Sequence, residues 1–362
     1  MNRKRGYITL LLTAKCNLSC IYCYEKKDER RMSYDTAKEI IDEFIQSTDY
    51  TEYVIDFFGG EPFLEFELIK NIHNYVITTY PKLLNSFIIT TNGTLVHGEI
   101  KQWLLENDDV LCTLSLDGNR DSHNINRCNS YDDIDINFFL DKYHDVEIKM
   151  TISPQTLRNM SESVIHCHKQ GFKINCNLAF NDFWNESHIP IFAEELEKLL
   201  NYYKSNPNVE PCSLIGRNIS DCAYYYRNNI YLPWCDVGNM PTFDSKKHSY
   251  PCQYFAFLNG EYMQTIDIIS RNKIQVSLLP EKCQNCVIHP ICPTCYAFGY
   301  EAYNNCFGKS DTYCSMMKIL MKCRSIYYVN LHNLKKINLF SEENTNLLNT
   351  IILIQEHLHI DI

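Results

Sequence analysis

Thr13-Ala-Lys-Cys16-Asn-Leu-Ser-Cys20-Ile-Tyr22-Cys23-Tyr24 is the stretch that decides how this chain is read. It sets three thiols in a C-x3-C-x2-C spacing directly behind an apolar run, Tyr7 to Thr13, that reads as a strand. Three thiolates fall one short of a closed tetrahedral zinc site, and no fourth ligand stands at a usable local spacing. They suit a cubic iron–sulfur cluster, where they hold three irons and leave the fourth open to a further ligand. Tyr22, directly before the third thiol, is placed to shield such a group or to stack on what it binds.

Outward from that loop, apolar runs alternate with helical-period segments as far as Asn206. The runs Tyr7–Thr13, Tyr53–Phe58, Phe87–Thr91, Val110–Leu116, Val146–Ser153 and Lys173–Phe180 read as strands. Helices are predicted at Ser33–Ser47, with Ser33 as N-cap, at Phe63–Tyr80, after Asn92-Gly93 through Leu105, and near Ile134–Tyr143, Ser161–Gln170 and Ile189–Tyr203. Repeated strand–helix units imply parallel strands joined by right-handed crossovers. The six units here predict an α/β fold, a partial (β/α)6 TIM-like barrel, with its chemistry at the C-terminal ends of the strands. Near Pro207 the alternation stops and cysteines crowd the chain from Cys212 to Cys323, so the expected domains are residues 1–206, 207–323 and a helical tail, 324–362.

Composition narrows the function. The net charge of −10 argues against sequence-independent nucleic-acid binding. The apolar run behind Arg3, Lys4 and Arg5 is at the lower limit for a signal peptide and lacks a small-residue cleavage site. No run approaches the roughly 20 apolar residues of a membrane span, so a cytoplasmic location is expected. The 18 cysteines fall mostly in two tight groups with metal-ligand spacing, which suits clusters in a reducing compartment better than a disulfide framework. Cys112, Cys167 and Cys176 sit in apolar patterns and are read as buried small hydrophobes.

Other motifs gather at the strand ends. Gly59-Gly60-Glu61-Pro62 follows the second strand; its glycines permit close approach to the backbone, and its carboxylate can pair with an ammonium group. Thr91-Asn92-Gly93-Thr94 follows the third and Ser115-Leu116-Asp117-Gly118 the fourth, both also readable as plain turns. Downstream, Cys283-x2-Cys286-x5-Cys292-x2-Cys295 joins Cys235, Cys252 and Cys314; paired C-x2-C units equally suit two zinc ribbons.

From about residue 7 to 320 the chain resembles radical S-adenosylmethionine (SAM) enzymes that carry a C-terminal SPASM domain with auxiliary clusters. The resemblance implies a [4Fe-4S] cluster on Cys16, Cys20 and Cys23, with SAM on its open iron and reductive cleavage to a 5′-deoxyadenosyl radical. It also implies SAM contacts from Tyr22, Gly59, Gly60, Glu61, Asn92, Ser115 and Arg127. Two auxiliary [4Fe-4S] clusters follow from it. Cys283, Cys286, Cys292 and Cys314 would hold one, with Cys306 a rival for the last place. Cys235, Cys252 and Cys295 would hold the other, with Cys222, Cys212 or no residue as the fourth ligand. The chain departs from the family pattern at Cys292-x2-Cys295, where three intervening residues are usual, and at Lys247, where a glycine is usual.

Such relatives mostly modify ribosomally made peptides or proteins. Anaerobic sulfatase-maturating enzymes, which form formylglycine, resemble this chain at His123–Arg127 and at Tyr250-Pro251-Cys252. They carry a basic Asp after that cysteine, where this chain has Gln253, which cannot accept a proton at neutral pH. The expected activity is therefore oxidative peptide maturation, a thioether or carbon–carbon cross-link, with formylglycine formation and a zinc-stabilised interaction module as alternatives. The expected partners are a precursor peptide or protein and a reductant such as flavodoxin or ferredoxin, with no nucleic acid and no membrane. Only six residues precede the first strand, so leader recognition is expected in Cys212–Trp234, where Tyr224–Tyr226 can line a channel or fill a core, or beyond Arg324.

Overall fold

The computed structural model describes residues 5–180, 183–235, 237–258, 260, 263–270 and 276–358. Two compact units emerge: Met1–Leu116, His123–Lys149 and Gly238–Asn259 form the first, and Asp117–Ser122, Met150–Val237 and Gly260–Ile362 the second.

The first unit is built on β1 (Arg5–Thr13), β2 (Glu52–Gly59), β3 (Leu84–Thr91) and β4 (Val110–Leu114), paired in parallel in the order β4-β3-β2-β1. Ile8, Leu10 and Leu12 of β1 are almost fully buried, as expected of a parallel strand covered on both faces. Helices α1 (Tyr34–Gln46), α2 (Phe66–Thr79) and α3 (Gly98–Glu106) follow the first three strands, and the Ser33 hydroxyl caps α1 by accepting from Thr36 N. Beyond β4 the register continues through a parallel bridge between Ser115 and Lys149, the latter near the start of β5 (Ile148–Ile152). Between these lie α4 (Arg120–Asn126) and α5 (Ile136–Lys142). Of the two, α4 was not foreseen: its sequence, Arg-Asp-Ser-His-Asn-Ile-Asn, has too few apolar residues to show a helical period.

In the second unit β5 and β6 (Ile174–Leu178) form a two-stranded sheet, with α6 (Met160–Gln170) and α7 (His188–Ser205) following them. The six strand–helix units follow in the predicted order and give the expected mixed α/β fold with a parallel sheet. The long helix Asp311–Asn333 packs on α7 and runs straight through Arg324, where the sequence suggests that a tail begins. Arg324 is buried and donates from Nε to Leu214 O at 2.9 Å. The last helix, Thr345–Leu358, packs on the helix Asp221–Asn228, and Ala223 N donates to Thr350 Oγ1 at 3.0 Å. Residues beyond Arg324 are thus core elements of this unit. No helix among the described residues is long and apolar enough to cross a membrane.

Two short strands past Pro207 escaped the sequence reading, because two residues carry no period. β7 (Thr242–Phe243) pairs in parallel with the open edge of β1, and β8 (Ser249–Tyr250) pairs antiparallel with β7. Asp244 holds their connection by accepting from Lys246 N, His248 N and Tyr250 Oη. Lys247, which stands at the family's glycine, adopts φ 64°, so the turn keeps a left-handed residue without a glycine. Its Nζ pairs with Glu39 and Glu43 of α1, which helps to fix that turn.

A carboxylate is buried between the first two strands. Asp56 Oδ2 accepts from Tyr7 Oη at 3.0 Å and Thr9 Oγ1 at 3.3 Å, while Oδ1 has no partner among the described residues. Burial raises this carboxyl to about 6, against the opposing pull of those hydroxyls and of Lys149. The folded state therefore favours the protonated form, so the stability this group lends is full below the unfolded pKa of about 4 and is lost as pH rises through about 6. Asp56→Asn is expected to match the parent at about pH 4 and to exceed it by roughly 1–2 kcal/mol above about pH 7. Urea unfolding of the metal-free, reduced chain across that range checks it, and a pH-independent difference would count against this account.

Candidate functional site

The cysteine loop leaves the end of β1 and is clasped by the end of β2. Gly60 N donates to Thr13 O at 3.0 Å and Glu61 N to Lys15 O at 2.9 Å. A Cβ on Gly59, at φ +142°, would stand 2.3 Å from Thr13 O, and one on Gly60 would stand 2.1 Å from Lys15 O. The sequence suggests glycines that admit a ligand; the atoms they admit here are those of the cysteine loop itself.

Glu61 is the bracket beneath that contact. Its carboxylate is 1% exposed, and Oε1 accepts from Thr91 Oγ1 at 2.8 Å and Phe63 N at 3.2 Å, while Oε2 accepts from Asn92 N at 2.8 Å. Burial pushes the carboxyl up to about 7, opposed by these donors and by the charge of Arg127. Three of about four lone-pair sites of an ionised carboxylate are thus taken, and the remaining one is on Oε2.

Asn92 turns the same network toward the thiols. Its Nδ2 donates to Asn17 Oδ1 at 2.8 Å and approaches Cys16 Sγ at 4.0 Å, while its Oδ1 accepts from Thr94 N and Thr94 Oγ1. Asn17 Nδ2 completes the ring by donating to Thr94 Oγ1 at 2.8 Å. Ser115, at the end of β4, is buried and joined to β3 through Ser115 N to Thr91 O, 2.9 Å.

Cations face the other thiols. α4 ends just before Arg127, whose Nη1 lies 4.0 Å from Cys20 Sγ and whose guanidinium covers the Tyr22 ring at 5.4 Å. Ile21 N donates to Asn126 O at 3.1 Å, which fixes the loop against the same helix end. Lys27 Nζ binds Leu18 O and the Ser19 hydroxyl from beneath, and Ser19 N donates to Cys128 Sγ at 3.3 Å. Burial pushes the Cys16 and Cys23 thiols up, so their use as metal ligands displaces protons. Asn17, Lys27 and Cys128 were missed by sequence reasoning; only Asn17, inside the C-x3-C spacing, offered a signal.

The segment after β8 also belongs to this unit. Cys252 is half-buried there, Gln253 follows it, and Tyr254 stacks on Tyr24 with ring centroids 4.2 Å apart and planes 17° apart. The second residue after Cys252 is thereby tied to the residue after Cys23.

In the second unit Cys283, Cys286, Cys292 and Cys314 line a cavity of about 190 Å³, together with Lys309 and Thr294. Cys306 is buried and is not among its lining residues. The sulfur charges of Cys292, Cys283 and Cys314 favour the ammonium of Lys309 against the burial that disfavours it. Cys235 is exposed and Cys295 half-buried at the start of the helix Tyr296–Tyr303. Cys212 is fully buried and engaged with the Cys176 thiol and Tyr203, whereas Cys222 points its Sγ at Val287 O, 3.3 Å away. Tyr225 is buried against His289, whereas Tyr226 is half-exposed with its hydroxyl on Val287 O. Cys112, Cys167 and Cys176 are all buried, as predicted.

Among the described residues no three Cys, His, Asp or Glu side chains are drawn together as ligands of a single ion. The donor sets fit anionic metal–sulfur groups: three thiols on a loop flanked by Arg127 and Lys27, and four thiols around a cavity with a buried ammonium.

Comparison with known proteins bears on the same residues. Residues 10–173 match the Radical SAM superfamily, so the chain carries a radical SAM domain, whose cofactors are SAM and a four-iron cluster. It is 37% identical over 113 residues to an uncharacterized protein of Methanocaldococcus jannaschii, covering 31% of this chain and 38% of that one. It is 28% identical over 188 residues to a cysteine-type anaerobic sulfatase-maturating enzyme of Clostridium perfringens, covering 44% and 49%. The chain thus spans less than half the length of these curated relatives. Native anSMEcpe with bound AdoMet and Cp18Cys peptide shares the fold at TM-score 0.66 and 18% identity, over 91% of this chain and 99% of that one. Streptococcus suis SuiB bound to precursor peptide SuiA does so at TM-score 0.54 and 15% identity, over 86% and 76%.

The clasp makes a direct expectation. Gly60→Ala should destabilise the chain by about 2–3 kcal/mol, since a Cβ there meets backbone that cannot turn aside. Chemical denaturation measures that loss, and an unchanged midpoint would show that the loop is free to move away.

Proposed function

We propose that this chain is a radical SAM peptide-modifying enzyme that oxidatively modifies a side chain of a ribosomally made peptide, forming a thioether or carbon–carbon cross-link. The carrying observation is Gln253, held beside the cysteine loop by the Tyr254–Tyr24 stack. At the place where formylglycine formation calls for a base, this chain presents an amide.

When bound, SAM and a four-iron cluster supply a 5′-deoxyadenosyl radical that takes a hydrogen from an unactivated carbon. The residues divide the remaining tasks. Cys16, Cys20 and Cys23 hold three irons. Asn92 fixes Asn17, and with it the loop carrying Cys16. Glu61 keeps one lone pair for an ammonium group, and the Gly59-Gly60 backbone stands beside it. Arg127 offers a guanidinium to a carboxylate, with Tyr22 as its platform, and Ser115 lies on the same rim.

In the second unit, Cys283, Cys286, Cys292 and Cys314 hold one auxiliary cluster, a set supported by their shared cavity. Cys235, Cys252 and Cys295 serve the other. Its fourth place is open to Cys222, since Cys212 is committed to Cys176 and Tyr203. A precursor peptide is the substrate, a flavodoxin or ferredoxin the reductant, and the cytoplasm the compartment in which such thiols stay reduced.

A second reading, formylglycine formation in a protein, is favoured by the extent of the fold shared with anSMEcpe. Anaerobic incubation with Cys- or Ser-containing sulfatase peptides separates the two: a formylglycine product seen by mass spectrometry sinks the peptide-maturation reading. A cross-linked product of a small peptide co-expressed from a neighbouring reading frame supports it.

Two expectations concern the metal centres. The anaerobically purified chain should hold about twelve irons and about twelve sulfides, and zinc in their place would make it an interaction module. Replacing Cys16, Cys20 and Cys23 together by Ala should abolish 5′-deoxyadenosine production under dithionite; production at the parent rate would place the initiating cluster elsewhere.

A further inference from the structure

Lys309 is a cation with no evident reason to be buried unless sulfur is its counter-charge. It is 8% exposed, and among the described residues no carboxylate pairs with it. Its Nζ donates to Cys292 Sγ at 3.2 Å and to Thr294 Oγ1 at 2.8 Å. The Thr294 hydroxyl donates in turn to Cys292 O at 2.9 Å, so both side chains are fastened to the same cysteine.

The chain is shaped to deliver this lysine. A Cβ on Gly308 would stand 2.4 Å from Tyr303 Cβ, so only glycine lets the backbone pass that ring and turn Lys309 inward. The Lys309 carbonyl accepts from Lys282 Nζ at 2.6 Å, and that ammonium also pairs with Asp311 at 2.7 Å. Taking an ammonium out of water costs several kcal/mol unless an opposite charge is close and well placed. Of the groups lining the cavity that can carry negative charge, Asp311 is paired with Lys282, and the others are the four thiols.

We propose that Lys309 is the buried counter-charge of the metal–sulfur group on Cys283, Cys286, Cys292 and Cys314, and a positioning residue that raises its reduction potential. This rests on the reading that those four thiols hold a cluster. A fixed positive charge and an N–H···S hydrogen bond both favour the more negative, reduced state, so they make such a cluster a better electron acceptor. An oxidative modification needs an acceptor of that kind.

The test uses the full chain, purified anaerobically as wild type, Lys309→Met, Lys309→Arg and Cys283→Ala. Iron and sulfide are counted, and each protein is titrated with dithionite under EPR; the signal lost in Cys283→Ala identifies the cluster. Lys309→Met is expected to lower the reduced fraction at a fixed potential about tenfold, a shift of about −59 mV for a one-electron couple. Lys309→Arg, which keeps the charge, should titrate close to wild type. Loss of this cluster from Lys309→Met with retention in Lys309→Arg supports the proposal equally. An unchanged midpoint in Lys309→Met overturns it, as does equal loss of iron from the Met and Arg variants, which would make shape rather than charge the requirement. If Cys283→Ala keeps its full iron and every signal, the four-thiol reading itself fails and the proposal with it.

Discussion

Everything proposed for the initiating site depends on one close approach, that of the β2 end to the loop leaving β1. Parallel strands alone would bring Gly59 beside Thr13, but the contact goes further, with two backbone hydrogen bonds and no room for a Cβ on either glycine. It aligns the cysteine loop with the carboxylate that follows. Glu61 in turn gathers Thr91 and Asn92 from the third strand, and Asn92 reaches back to Asn17. Three strand ends are thus locked to one loop by side chains whose main task is to hold each other. A carboxylate so deeply buried and held by three donors is costly to move.

The order of strands and helices was legible because parallel strands buried on both faces read as apolar runs, and the intervening helices carry their own period. Ser33 as a helix cap and Cys112, Cys167 and Cys176 as core residues followed from equally local rules. What escaped was non-local. α4 has no apolar stripe, yet it places Arg127 over Tyr22 and near Cys20. β7 and β8 are too short to show a pattern, and only pairing with β1 makes the first of them a strand. Lys247 looked like a defect because the left-handed conformation that glycine favours is not written in a lysine's identity; it is enforced by the turn that Asp244 closes.

The two sulfur sites handle charge differently. Around the first, Lys27 is exposed and grips the loop backbone, while Arg127 is held over an aromatic face and lies 4.0 Å from Cys20 Sγ. Both cations stand at the loop that carries the thiols. Around the second, the buried ammonium of Lys309 donates to the Cys292 thiol and to the Thr294 hydroxyl. The chain's net charge of −10 hides this local positive bias at both sites.

In the proposed reading, Gln253 puts an amide into a frame that other residues hold. The Tyr254–Tyr24 stack and the β7–β8 pair fix where the residue after Cys252 stands, and neither depends on what that residue is. Exchanging a carboxylate for an amide there removes a proton acceptor but leaves a donor and an acceptor of hydrogen bonds. Such a group can hold a peptide amide or a side chain in register, but it cannot deprotonate a thiol or hydroxyl. A shared fold does not fix the bond formed, and on the proposed reading a single polar residue such as Gln253 bears on that choice.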